Sequence, residues 1–94
     1  MHARTVTFQV PSERLDDVVA NIREGAQNLV EQKGFHHAHW LYDREGGTVM
    51  AVALFDNAED EAASWEVQGP RVRERLQAQG ITLETRTHEV VHEL

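Results

Sequence analysis

The sequence predicts a single α+β domain over residues 1–94, with the element order βαββαβ, a four-stranded antiparallel sheet and helices on one face of it. Three observations carry this. A short stretch near the start alternates apolar and polar residues, a long stretch after it repeats apolar residues every three or four, and a glycine-containing loop separates two further strand-like runs.

In the first stretch Val6, Phe8 and Val10 alternate with Thr5, Thr7 and Gln9, the period of a strand with one buried face. Pro11 stops it. Ser12 is a suitable N-cap, and Leu15, Val18, Val19, Ile22, Ala26, Leu29 and Val30 then mark one amphipathic helix that ends at Gly34. Phe35 to Asp43 reads as a strand with bulky residues on both faces, and Thr48 to Phe55 as a strand that is apolar nearly throughout. Asp43-Arg44-Glu45-Gly46-Gly47 between them has the composition of a hairpin loop, because glycine supplies the positive φ angles of tight turns.

Asn57 is placed to cap a second helix, with Glu59, Asp60 and Glu61 at the positive end of its dipole and Ala58, Ala62 and Trp65 on one stripe. Gly69-Pro70 is expected to interrupt that helix, Pro70 opening a short third one with Val72 and Leu76 that ends at Gly80. Ile81 to Val91, rich in threonine and valine, closes the sheet. This order is that of the split βαβ, ferredoxin-like arrangement. Its middle strands carry large apolar groups on both faces, so a second copy of the sheet is expected to cover the face without helices.

Composition narrows the function. There is no cysteine, which removes disulfides, thiolate metal sites and a cysteine nucleophile. A net charge of -7, with nine basic residues scattered among sixteen acidic ones, argues against nucleic acid as a partner. No apolar run is long enough to span a bilayer, and Met1-His2-Ala3-Arg4 leads into a strand rather than a signal sequence, so a cytoplasmic location and no membrane partner are expected. Glycine-rich phosphate loops, nucleophile elbows and metalloprotease motifs do not occur.

Gly34-Phe35 directly after a long amphipathic helix, followed by HAHWLYDREGGTVMAVALFDNAEDEAAS, resembles the dimeric α+β barrel superfamily and, within it, the antibiotic-biosynthesis-monooxygenase-like domains. The resemblance covers nearly the whole chain in element order and length. It implies a homodimer whose two sheets pack face to face, and a pocket between each sheet and its helices. Members include cofactor-independent monooxygenases of polycyclic phenols, haem-degrading monooxygenases, isomerases and decarboxylase-like enzymes, and fold alone does not choose among them.

Several residues are candidates for chemistry. Trp65 matches the tryptophan that lines the pocket in enzymes of this kind; it either walls a planar ligand or fills space beside Ala58 and Ala62. Asn57 and Arg86 can supply polar groups, the first donating to a substrate oxygen and the second stabilising an anion; the plain alternatives are a helix cap and a cross-strand ion pair. His37 and His39 share a strand face that Asp43 continues, which suits a general base or, with a third ligand, a metal; as ordinary surface or interface histidines they do neither. His88 and His92 share a face of the last strand.

Trp40, Phe8, Tyr42 and Phe55 are the aromatic residues expected against a ligand. Haem chemistry is the weaker reading: the haem-degrading branch uses a histidine on the helix after Trp65 and an asparagine on the first strand, where this chain has Pro70-Arg71-Val72-Arg73-Glu74-Arg75-Leu76 and Gln9. No cofactor and no metal are therefore assigned. The expected activity is oxidation of a small aromatic or quinone-like molecule without a cofactor, and the alternative is a non-catalytic small-molecule-binding or stress-related dimer.

Overall fold

A computed structural model describes residues 1–94. Strand β1 (His2–Gln9) is followed by helix α1 (Leu15–Ala26), the hairpin of β2 (Phe35–Asp43) and β3 (Thr48–Phe55), helix α2 (Ala58–Ala78) and β4 (Leu83–Glu89). The sheet order is β2-β3-β1-β4 and every pair is antiparallel, so the chain has the ferredoxin-like βαββαβ topology with both helices on one face. No helix is long and apolar enough to cross a membrane.

The register sorts the sheet into two faces. Val6 lies opposite Ala51 and Thr85, and Ala51 opposite Trp40, so these residues share the helix side with Arg4, Phe8, Ala38, Ala53 and Phe55. Val6, Phe8, Val10, Val49 and Ile81 meet Val18 of α1 and Leu76 of α2 in the core. Thr5, Thr7, Met50, Val52, Leu54, His37, His39, Leu41, Arg86 and His88 alternate onto the other face.

Several boundaries differ from expectation. The first helix does not run from Ser12 to Gly34. Ser12 does not cap it: Ser12–Arg14 form a 3-10 turn with Pro11 at its N-cap, the α-helix starts after Arg14 and stops at Ala26, and a second 3-10 turn covers Leu29–Glu31, which leaves Val30 exposed. Glycine does end the segment: Gly34 has φ 77°, where a side chain is strained, and its carbonyl accepts from the Asp56 amide at 2.8 Å.

Gly69-Pro70 does not divide the second helix, which runs unbroken through Pro70. Pro70 takes away the amide that Glu66's carbonyl would accept from, but both residues lie on the exposed side, where water can replace that bond. Gly69 helps for a second reason, since proline disfavours helical geometry in the residue before it partly through that residue's Cβ, which glycine lacks. The buried stripe of α2 is Glu61, Ser64, Gln68, Gly69 and Leu76, while Ala58 and Ala62 are exposed. The closing strand is shorter than Ile81–Val91; Ile81 is a core residue outside the strand, and Val91 lies in solvent. β1 in turn begins earlier, at His2.

A Cβ at Gly34 would stand 2.9 Å from the Cβ of Asp60, in addition to the strain of its φ. Gly34→Ala is therefore expected to cost about 2 kcal/mol or more. Urea denaturation should show a lower midpoint with an unchanged slope.

Candidate functional site

Between the sheet and the two helices lies a cavity of about 690 Å³, a size suited to a small organic ligand. Phe8, Trp40 and Phe55 of the sheet and Trp65 of α2 supply aromatic wall. Ala38, Ala51 and Ala53 keep the sheet floor low, since a larger side chain at any of them would occupy the space above it.

Trp65 is held by its neighbours. The Arg4 guanidinium lies 4.5 Å from its ring centroid, a cation–π contact. A Cβ at position 69 would come within 2.8 Å of Trp65 Cε2, so the indole occupies room that only glycine leaves. Arg4 is fixed in turn: its Nε and Nη2 each donate to Glu61 Oε2 at 2.8 Å, and its Nη1 donates to Thr85 Oγ1 at 3.2 Å. Thr85 Oγ1 donates in turn to the carbonyl of Thr5 at 2.8 Å. Glu61 is 2% exposed, so this charge is buried with its partner in place.

Gln68 follows Trp65 by three residues on the same side of α2 and also lines the cavity. It is 8% exposed, and its Nε2 has no hydrogen-bond partner. At the outer end Arg75 donates to Asn21 Oδ1 at 3.1 Å, joining α2 to α1.

The structure brings together some of the residues singled out in the sequence and separates others. Trp65, Trp40, Phe8 and Phe55 border one cavity. Tyr42 is on the same sheet face but outside the cavity, its hydroxyl donating to the Val10 carbonyl at 2.8 Å. Asn57 is occupied as a cap, its Oδ1 accepting from the Asp60 amide at 2.8 Å and its Nδ2 donating to Asp60 Oδ2 at 3.2 Å.

His37, His39 and Arg86 lie on the opposite sheet face from Trp65, because the strand alternation that places Trp40 and Thr85 inward places them outward. One protomer's pocket cannot use them together with Trp65. The His37 and His39 rings meet edge to face at 5.2 Å, and no third histidine or carboxylate completes a metal-holding group. Asp43 instead accepts from the Glu45 amide at 3.1 Å within the hairpin loop. Thr5 Oγ1 and His88 Nε2 are 3.2 Å apart on the same outer face.

Arg4, Glu61, Gln68 and Gly69 were not anticipated as site residues. Arg4 precedes the first obvious alternation, and Glu61 and Gln68 read as solvent-facing residues of a charged helix. One signal was available: 61, 65, 68, 72 and 76 share a helical face, and that face includes Trp65, Val72 and Leu76.

Sheet and helices together define a ferredoxin-like domain with an aromatic-walled cavity on its helix side. The chain belongs to the antibiotic biosynthesis monooxygenase family, whose model matches residues 1–68, from β1 to Gln68. No curated protein matches the sequence. Solved structures similar to it include the cofactor-independent oxygenase SnoaB of Streptomyces nogalater (18% identity, 99% of this chain and 95% of that one, TM-score 0.72). The haem degrader MhuD of Mycobacterium tuberculosis, with two haems in its active site, is also similar (18% identity, 100% and 99%, TM-score 0.75). So is a dimeric ferredoxin-like protein from an uncultured marine organism (15% identity, 99% and 96%, TM-score 0.73). At such identities these likenesses concern the fold.

The residues present do not fit haem. The cavity lining has no histidine, cysteine, tyrosine or methionine to ligate iron, and α2 carries no histidine along its length.

The clamp on Trp65 makes Gly69→Ala informative, because alanine is the better helix former by about 1 kcal/mol and should stabilise an unobstructed helix. Here it is expected to destabilise. Part of that cost comes from Pro70 and part from the indole, so in a Trp65→Leu background the penalty of Gly69→Ala should shrink by about 1 kcal/mol or more. Thermal or urea denaturation of the four proteins measures the coupling.

Proposed function

We propose that this protein is a monooxygenase-like enzyme that oxidises a small aromatic or quinone-like molecule in the cavity beside Trp65, using no bound cofactor. The observation that carries the proposal is the aromatic cavity itself, with Trp65 fixed between Arg4 and Gly69 and with polar groups of α2 set into its wall. Membership of the monooxygenase family supports the reaction class, and the likeness to a cofactor-independent oxygenase is compatible with it.

In such a reaction the substrate supplies the electrons. An anthrone-type phenol, deprotonated to its enolate, passes electrons to dioxygen; one oxygen atom becomes bonded to the ring carbon and the other leaves as water, giving a quinone. The site's part is to hold the ring flat against aromatic walls and to place hydrogen-bond donors where negative charge collects on oxygen.

A second reading, a non-catalytic binder using the same cavity, has an observation of its own. Glu61 is already paired with Arg4, no histidine lines the cavity, and the other carboxylate of the lining, Glu74, is exposed, so no buried side chain there is free to act as a general base. Oxygen uptake with an anthrone-type phenol separates the two readings. Turnover is expected, with Trp65→Phe lowering kcat/KM about a hundredfold, as displaced substrate geometry does. Saturable binding of the phenol without oxygen uptake would establish the binder, and activity unaffected by Trp65→Phe would move the site elsewhere.

The helix-free sheet face is the proposed homodimer interface. It presents Leu41, 55% exposed, beside Met50, 41% exposed, with Val52 and Leu54 next to them, and a second sheet would remove that apolar surface from water. Sedimentation at micromolar concentration should give twice the chain mass, and Met50→Glu should shift it to the monomer. A wild-type monomer would overturn the interface.

A further inference from the structure

We propose that Gln68 is the specificity-determining residue of the cavity: its carboxamide donates to an uncharged carbonyl oxygen of the ligand and selects ketones and quinones over hydrocarbons of the same shape. The proposal rests on the reading of the cavity as an aromatic-binding site and adds the chemistry that site reads.

Gln68 is more than nine-tenths buried and lines the cavity, yet its Nε2 is sealed from solvent with nothing to donate to. A buried donor without an acceptor is costly, on the order of 1–3 kcal/mol, whereas leucine or methionine at this position would cost nothing of the kind. A glutamine that opposes folding there has a use elsewhere. Its terminal torsion is soft and nearly two-fold, so the amide can turn Nε2 toward the cavity with little strain when an acceptor arrives.

Position defines the acceptor further. Gln68 lies one turn beyond Trp65 on the same side of the helix, so a ring placed against the indole brings an oxygen on its edge toward the amide. The nearby cation, Arg4, already gives two hydrogen bonds to Glu61, and the pair carries no net charge. An amide donor beside a neutralised ion pair suits a carbonyl group; the lining's other cations, Arg71 and Arg75, belong to later turns of α2, and Arg75 is turned toward α1 through Asn21.

The test compares 9-fluorenone with fluorene, planar molecules of nearly equal shape that differ by one carbonyl oxygen. Wild-type protein should bind fluorenone at least about tenfold tighter than fluorene, the scale of one buried hydrogen bond. Through-bond NMR assignment of the Gln68 side-chain amide should show its signals moving on addition of fluorenone and staying in place with fluorene. That readout needs no variant. Gln68→Leu should bind the two compounds alike, and its melting temperature without ligand should exceed that of the wild type, the reverse of what loss of a structural hydrogen bond would produce.

If Gln68→Leu keeps the fluorenone preference, or if the amide signals do not respond to fluorenone while both compounds bind, the role of Gln68 is overturned and the aromatic-site reading stands. If neither compound binds the wild type, both fall.

Discussion

The arrangement on the helix side depends on one buried ion pair. Arg4 extends from β1 beneath α2, and Glu61 in the first turn of α2 meets it with two hydrogen bonds to a single carboxylate oxygen. Removing either partner would leave a largely buried charge without its counter-ion, at a cost of up to about 3–5 kcal/mol, while replacing both with apolar residues would cost far less. Such a pair is therefore better understood as fixing geometry than as supplying stability. It sets where α2 begins over the sheet, ties β1 to β4 through Thr85, and puts a cation against the face of Trp65.

From that anchor the rest of α2 follows as a line of compromises along its inner side. Glu61, Ser64 and Gln68 are polar where an ordinary core helix is apolar, and Gly69 gives up helix propensity to admit the indole. Each is unfavourable or neutral for folding alone. Together they surround one cavity, and departures from local consistency that cluster at a single place are characteristic of functional sites.

Much of the scaffold was legible in the sequence because it obeys simple periods. The strand-like runs Phe35–Asp43 and Thr48–Phe55 have the limits of β2 and β3, Gly46-Gly47 marks the loop between them and Asn57 the cap of α2, whereas Gly34 takes the left-handed angle glycine allows but does not cap α1, which ends at Ala26. Where the structure departs from these periods, the reasons are physical. Pro70 usually ends helices, and here it is tolerated because the carbonyl it orphans faces solvent and the preceding residue has no Cβ. Val30 keeps the helical spacing of α1 but lies beyond the point where the α-helix stops, in a 3-10 turn that rotates it outward. The aromatic members of the site could be named because aromatics attract notice; Arg4, Glu61 and Gln68 could not, since charged and amide side chains on surfaces vastly outnumber those that are buried.

The separation of histidines from the cavity bears on what this domain can do. Residue types alone suggested that His37, His39 and Arg86 would act with Trp65, but strand alternation puts a full sheet between them. The two faces then have different tasks. The helix side offers aromatic walls, a neutralised ion pair and one unpaired amide, a setting that orients an uncharged planar molecule more readily than it removes a proton from one. The outer side offers imidazoles among apolar residues, where a second sheet would bury them. On the proposed reading the substrate's proton passes to solvent or to the exposed Glu74, and a weak base suffices, since an anthrone-type phenol whose enolate is spread over a ring system loses its proton more readily than an isolated alcohol does. Donors that favour the anion once formed would account for selectivity and rate together, and the firm hold of Arg4 and Gly69 on Trp65, which fixes the substrate ring those donors act on, matters more in such a site than the pKa of any one side chain.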